Sequence, residues 1–144
     1  MSHQNEKELT TLLRRKGFRV TPGRLETLSV LQKARAPINV EEILEKLKTE
    51  PNKVTVYRAL KEFKEAGVVR QVDFQHNHAH YELAILAEHH HLVCLHCGRI
   101  EDVHRCGVGE IQAAALRASK HFAEIRQHAL EFYGVCKACS KKPT

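Results

Sequence analysis

Apolar residues recur at helical spacing through the first half of the chain. Leu9, Leu12 and Leu13 share one face of a helix predicted over 4–15 that ends near Gly17. Thr21-Pro22 then supplies an N-cap followed by proline at the first helical position, and Leu25, Leu28 and Leu31 carry a second helix to about Ala34. Beyond Pro37, Asn39 and Glu42 have the spacing of a capping box, and Ile43, Leu44 and Leu47 form the apolar face of a third helix. The turn Thr49-Glu50-Pro51-Asn52 breaks the pattern, because the residue before a proline disfavours helix. A fourth helix runs from about Lys53 to Ala66 and stops at Gly67, with Val56, Leu60 and Phe63 at i, i+4 and i+7 as its buried stripe.

That stripe leaves Tyr57, Arg58 and Lys61 on the free face. A short helix, a tight turn and a second helix with Tyr and Arg outward is an arrangement that enters a DNA major groove. Arg bonds guanine edges or phosphate, and Tyr can do the same or pack on thymine methyl groups.

After Gly67 the period shortens. Val68–Val72 alternates weakly, and Ala79–Leu83 can serve as its hairpin partner, making a β wing. Leu92-Val93 and the residues just before them read as a strand. A helix is expected over 108–119 with Ile111, Ala115 and Ala118 along one side, then a strand region from Phe122 to Tyr133. The expected fold class is α+β: a winged helix-turn-helix domain with hinge over 1–78, and a small α/β domain over 79–144. Sheet edges in the second would suit pairing with a second copy of the chain.

Charge divides the chain in the same way. Residues 1–72 hold 15 Lys and Arg against 9 Asp and Glu, whereas residues 73–144 hold 8 of each, so the whole net charge of +6 lies in the first part. All five cysteines and ten of the eleven histidines lie in the second. The chain of 144 residues has no apolar run near the roughly 20 that span a membrane. Its N-terminus has no apolar stretch behind it, so no secretory signal or membrane association is expected, and the expected compartment is the cytoplasm. In that reducing setting five cysteines suit metal ligation or reactive thiols better than disulfides.

The cysteines are patterned. Cys94-Leu95-His96-Cys97 and Cys136-Lys137-Ala138-Cys139 are two Cys-x-x-Cys turns, each able to present two thiolates to one ion. Together they close a tetrahedral structural zinc site with no open position. The 38 residues between Cys97 and Cys136 exceed a compact zinc ribbon, so the site is expected to clamp a whole subdomain. Upstream lies Glu88-His89-His90-His91. On a strand His89 and His91 share one face and His90 takes the other, which suggests two separate sites, or one site and a surface histidine. Glu82 and Asp102 flank the cluster on neighbouring expected strands, and His76, His78 and His80 populate the wing or hinge. His80-Tyr81-Glu82 with Cys94 and Cys97 also fits the zinc-dependent nucleobase deaminase signature in outline. Val93 stands where that signature needs proline, and the second Cys pair and the basic half would have no role, so no enzymatic activity is expected.

The motifs together resemble the ferric uptake regulator (Fur) family. Those carrying the resemblance are Gly17-Phe18-Arg19-Val20-Thr21-Pro22-Gly23-Arg24, Thr55-Val56-Tyr57-Arg58-Ala59-Leu60, His80-Tyr81-Glu82-Leu83, His89-His90-His91-Leu92-Val93-Cys94 with Cys97-Gly98, and Tyr133-Gly134-Val135-Cys136 with Cys139. The resemblance implies a winged-helix domain, a hinge and an α/β dimerisation domain, in a homodimeric repressor that binds a palindromic operator on double-stranded DNA when loaded with metal. It implies a DNA contact at Arg19 and major-groove contacts at Tyr57 and Arg58. It gives the structural zinc to Cys94, Cys97, Cys136 and Cys139, and a regulatory metal to Glu82, His89, His91 and Asp102. A further site would use His90 and His128, with Glu110 as partner. Three departures qualify it. Iron-sensing members place a histidine just before the third helix where Pro37 stands here, which passes the domain-bridging ligand to His78 or His80 of the wing. Glu88 stands where the further site has its first histidine. Cys106, the one spare cysteine, does not match the cysteine ligand of zinc sensors. Nitrogen and carboxylate ligands suit Zn(II), Fe(II) or Mn(II) at the regulatory site, and Pro37 inclines the reading toward zinc. A peroxide sensor of the same fold, in which a metal-bound histidine is oxidised, is the alternative.

Overall fold

The computed structural model describes residues 3–75, 78–85 and 88–141. The chain forms two compact units, Met1–Leu86 and Ala87–Thr144. The first contains α1 (His3–Arg15), α2 (Pro22–Lys33), β1 (Ile38–Asn39), α3 (Val40–Lys46), α4 (Lys53–Glu65), β2 (Val69–Asp73) and β3 (Ala79–Leu83). Helices α2, α3 and α4 start where side chains satisfy otherwise unpaired N–H groups. The Thr21 hydroxyl accepts from the Arg24 N–H at 3.4 Å, and Asn52 Oδ1 accepts from the Thr55 N–H at 3.1 Å. At α3 the capping box is complete: Asn39 Oδ1 accepts from Glu42 N at 2.9 Å, and the Glu42 carboxylate accepts from Asn39 N at 2.8 Å.

The buried stripe of α4 is Val56, Leu60 and Phe63, packed in one cluster with Leu9, Leu13, Leu28, Leu31 and Ile43. Phe18, in the link between α1 and α2, stands edge-on to Phe63 with ring centroids 5.3 Å apart. With its inward face spent on this core, α4 turns Tyr57, Arg58 and Lys61 to solvent. Behind it β2 and β3 pair antiparallel from Val69↔Leu83 to Asp73↔Ala79. The two-residue β1 adds to the other edge of β3, a strand too short for any periodicity to announce. Because β3 is held on both edges by this sheet, the first compact unit runs to Leu86, eight residues beyond the boundary expected after His78.

The second unit is built on β4 (His90–Cys94), which pairs antiparallel with β5 (Ile100–Val103) and parallel with β6 (Glu131–Gly134). The parallel pairing needs a crossover, supplied by α5 (Val108–Ala118), and a short α6 (Lys137–Ser140) follows β6. The strand expected over 122–133 is confined to its end. The Ser119 hydroxyl accepts from the N–H groups of His121 and Phe122 at 3.2 and 3.1 Å, which turns the backbone away from ladder geometry there. Residues 119–130 accordingly carry no helix or strand. On α5 the expected apolar side is present but uncovered within the chain: Ile111, Ala115 and Ala118 are exposed. The hydrophobic core cluster lies wholly in the first unit, and Val93 and Cys94 are the buried apolar residues described in the second. Among the described residues no helix is long and apolar enough to cross a membrane.

The turn between α3 and α4 is anchored to α2 by one carboxylate. Glu26 accepts from Lys48 N at 2.8 Å, Thr49 N at 3.1 Å and the Thr49 hydroxyl at 2.7 Å. Burial pushes the Glu26 pKa up, but the bonds from Thr49 and Lys48 outweigh it and hold the carboxyl below its ordinary 4.5. A depressed folded pKa means that the stabilisation is present above the unfolded value and is lost as pH falls through the folded one. Urea unfolding should therefore show Glu26→Gln less stable than wild type at pH 7, with the gap closing as the pH drops below 4.5. A gap of constant size down to pH 3 would refute the anchor.

Candidate functional site

The parallel pairing of β4 with β6 sets Cys94 opposite Gly134, so the turns that follow the two strands emerge at the same end of the sheet. Leu95 N–H donates to Gly134 O at 2.8 Å and ties the turns together. The first closes through Gly98, whose N–H reaches Cys94 O at 2.9 Å with φ +72°, a left-handed conformation natural to glycine. In the second, Cys136 precedes α6 and Cys139 lies within it. The sulfurs of Cys94, Cys97, Cys136 and Cys139 all lie within 4.8 Å of one another.

Those separations fit a metal and not a disulfide. Cys97 Sγ and Cys136 Sγ are 3.7 Å apart. A tetrahedral ion with metal–sulfur bonds of about 2.3 Å requires sulfurs about 3.8 Å apart, whereas a disulfide requires about 2 Å. Backbone N–H groups of Cys136 and Cys97 point at Cys94 and lower its thiol to about 5, the Cys136 bond measuring 3.3 Å. The N–H of Cys139 likewise lowers Cys136. Cys139 is driven the other way, to about 12, because its thiol donates to the sulfurs of Cys136 and Cys97. Four sulfurs this close cannot all ionise on their own, and a divalent cation lets them.

β4 also sorts the histidines. His89 Nε2 lies 3.8 Å from Asp102 Oδ2, and His91 Nε2 lies 3.7 Å from Asp102 Oδ1, with the two rings perpendicular at a centroid distance of 5.0 Å. The β4–β5 register, His91 opposite Asp102, creates this grouping. His89 and His91 are buried, and the three groups form a compact nitrogen and oxygen donor set. The His104 ring lies 5.6 Å from the His89 ring, centroid to centroid, and is a residue that the sequence reading misses; its place two residues after Asp102, just past the end of β5, is the available signal. Glu82 belongs to the first unit, where it is buried in β3 and paired with Arg70 at 2.9 Å. Its strand neighbours are β1 and β2. His80 is buried in the wing, donating from Nδ1 to His78 O at 2.9 Å and meeting Phe74 edge-on. His76 lies outside the described residues.

On the other side of the strand His90 Nε2 is 2.7 Å from His128 Nε2, and Glu88 reaches His128 Nε2 at 3.0 Å. Burial, and then the charge of His128, lower the His90 pKa and favour the neutral ring, the form that binds metals. Glu88, rather than Glu110, joins this pair, and among the described residues Glu110, near the start of α5, falls in no such group. Cys106 Sγ contacts His90 Nδ1 at 2.8 Å, and Gln112 Nε2 contacts His128 Nδ1 at 2.8 Å; neither residue has a role in the sequence-based reading of this site.

The first unit carries the nucleic-acid candidates. Tyr57, Arg58 and Lys61 are exposed on α4, and Arg19 is exposed on the link before α2. The Lys53 ammonium lies 5.8 Å from the centre of the Tyr57 ring and is ion-paired with Glu41, which lowers the Glu41 pKa.

Residues 15–133 match the model of the ferric uptake regulator family. The chain is 32% identical over 145 residues to the peroxide operon regulator of Bacillus subtilis, spanning 99% of this chain and 98% of that protein. It is 34% identical over 130 residues to the ferric uptake regulation protein of Legionella pneumophila, spanning 85% and 92% of the two. The solved structure of the Vibrio cholerae ferric uptake regulator superposes with a TM-score of 0.75 at 33% identity, covering 88% of this chain and 98% of that one. With this breadth of match, and with donor clusters beside a winged helix-turn-helix, the chain belongs to the ferric uptake regulator family and is a metal-responsive transcriptional regulator.

Proposed function

We propose that this regulator is a homodimer that represses metal-homeostasis genes by binding a palindromic operator when a divalent metal is bound. The observation that carries the reading is the clustering of thiol, imidazole and carboxylate donors in a unit that buries very little apolar surface of its own. Cys94, Cys97, Cys136 and Cys139 hold a structural zinc ion, worth on the order of 10 kcal/mol to a unit of this kind. The exposed Leu92, Ile111, Phe122 and Val135 are the apolar surface a second copy would cover.

The regulatory ion is held by His89, His91 and Asp102, with Glu82 and a wing histidine, His80, contributed by the DNA-binding unit. Ligands drawn from both units restrict their relative orientation, and only an orientation that sets two α4 helices one DNA turn apart fits an operator. A coupling of about 1–3 kcal/mol would change operator affinity roughly 5- to 150-fold. The donor set suits Zn(II), Fe(II) or Mn(II), and we favour zinc. His90, His128 and Glu88 form a further site, with Glu88 in the place where the resemblance puts a first histidine. Arg19, Tyr57, Arg58 and Lys61 contact the duplex, and the cytoplasm is the compartment in which such contacts are made. The similarity to a peroxide operon regulator favours one second reading, oxidation of a metal-bound histidine by peroxide. Mass spectrometry after peroxide treatment of iron-loaded protein separates the two: addition of one oxygen to His89 or His91 would establish it.

Chelator-treated protein retaining its structural zinc, titrated with Zn(II), Fe(II) or Mn(II), should gain affinity for promoter DNA with one of the three; equal affinity with and without each metal would sink the proposal. Arg58→Ala should cost about 1–3 kcal/mol per half-site without changing the thermal midpoint, and unchanged operator affinity would remove Arg58 from the interface. In the double variant Cys97→Ala/Cys136→Ala, the helices of the first unit should persist in circular dichroism while the dimer dissociates and zinc is lost. A stable dimer with its full zinc content would overturn the structural assignment.

A further inference from the structure

We infer that Arg24 and Glu62 form a clamp that positions the DNA-contacting link before α2 against the recognition helix α4, with Glu62 promoting DNA binding despite its negative charge. The inference rests on the DNA-binding reading above and adds two residues to it.

The link over 16–21 has no regular structure and carries the exposed Arg19. Its ends are fixed by Phe18, whose N–H donates to Leu13 O at 2.9 Å, and by Thr21, the cap of α2. Between them the hold comes from Arg24. Its Nη1 donates to the Arg19 carbonyl at 3.0 Å, its Nη2 donates to Glu62 Oε2 at 2.7 Å, and its guanidinium carbon lies 5.2 Å from the centre of the Phe18 ring. One planar fork thus touches the link twice and α4 once. Lysine could not do this, because an ammonium is a point charge without two fixed donor directions.

Glu62 lies one turn beyond Arg58 on the same side of α4. Both line a shallow cleft of about 250 Å³ with Thr21, Arg24 and Thr55. A carboxylate beside a helix that approaches phosphates should oppose binding by charge alone. Its bond to Arg24 gives it the opposite effect, holding Arg19 and Arg58 at a set spacing. The pair is partly solvent-exposed, at 25% for Arg24 and 48% for Glu62, and such pairs contribute little to folding. A loss of DNA affinity on breaking it would therefore not come from unfolding.

The sign of the Glu62→Gln effect is the test. Zinc-loaded wild-type protein is used to select a duplex from a randomised pool, and affinities are measured for that duplex and for a scrambled one of equal length. The clamp predicts that Glu62→Gln and Arg24→Gln each weaken binding to the selected duplex by roughly tenfold. The double variant should be no weaker than Arg24→Gln alone, and Arg24→Lys should behave like Arg24→Gln. Thermal midpoints, zinc content and affinity for the scrambled duplex should stay near wild type, while amide hydrogen exchange at residues 18–21 quickens. Tighter or unchanged binding by Glu62→Gln overturns the clamp, as does wild-type affinity in Arg24→Lys, which would make Arg24 a simple phosphate contact. A uniform fall in stability and in both affinities would make the pair merely structural and also overturn it. If wild type selects no duplex, the DNA-binding reading falls and takes the clamp with it, whereas selection followed by an unaffected Glu62→Gln removes the clamp alone.

Discussion

The parallel pairing of β4 with β6 is the constraint on which the second unit depends. Among its described residues the unit lacks the buried aliphatic cluster that holds the first together, and its crossover helix keeps an exposed apolar side. What it has is a register, Cys94 against Gly134, that delivers two Cys-x-x-Cys turns to one place across 38 intervening residues. An ion bound there would close a long loop and take over part of the role of a core, as in other domains too small to bury enough apolar surface. The same strand pairing fixes β4 in the middle of the sheet and so decides where its histidines point.

The first unit is organised in the opposite way. Its core is continuous, and its helices α2, α3 and α4 are capped by its own side chains. The positive charge of the chain is concentrated there, on the part that presents Tyr57, Arg58 and Lys61. A regulator divided like this can respond to a metal by changing the disposition of a DNA-binding unit without having to fold or unfold it. That suits coupling energies of a few kcal/mol, far below the binding energy of a structural zinc site.

The same division explains what could be read from the sequence. Local signals were legible: the Asn39–Glu42 capping box, the Thr21-Pro22 start, the Val56, Leu60 and Phe63 stripe and the hairpin after Gly67 all depend on neighbours within a few residues. The four cysteines were legible because paired short spacings carry their own geometry. Features decided by pairing across the fold were not. β1 exists because β3 has a second edge to fill, and two residues carry no period. The strand expected from Phe122 shrank to Glu131–Gly134 because β4 offers a partner only there, while Ser119 bends the preceding chain. Glu88 rather than Glu110 meets His128 because the chain just before β4 brings Glu88 to the ring that His90 contacts, and helix α5 carries Glu110 elsewhere. Cys106 beside His90 is likewise a product of the turn after β5, with no spacing to signal it.

Alternation along β4 gives the histidine run its meaning. Residues of one face of a strand recur every second position, so His89 and His91 meet Asp102 while His90 turns to His128. Three adjacent histidines on a helix would have fanned over about 200° and left one crowded, ambiguous surface. On a strand they are divided cleanly between two faces of one thin sheet, and the strand ends in Cys94 at the sulfur cluster. A single five-residue strand therefore touches three donor groups of different chemistry without allowing their ligands to mix. That separation keeps a sulfur donor set apart from a nitrogen and oxygen donor set on a different face. A change of one residue in the register of β4 would exchange its faces, bringing His90 to Asp102 and His91 to His128 and destroying both nitrogen sites together.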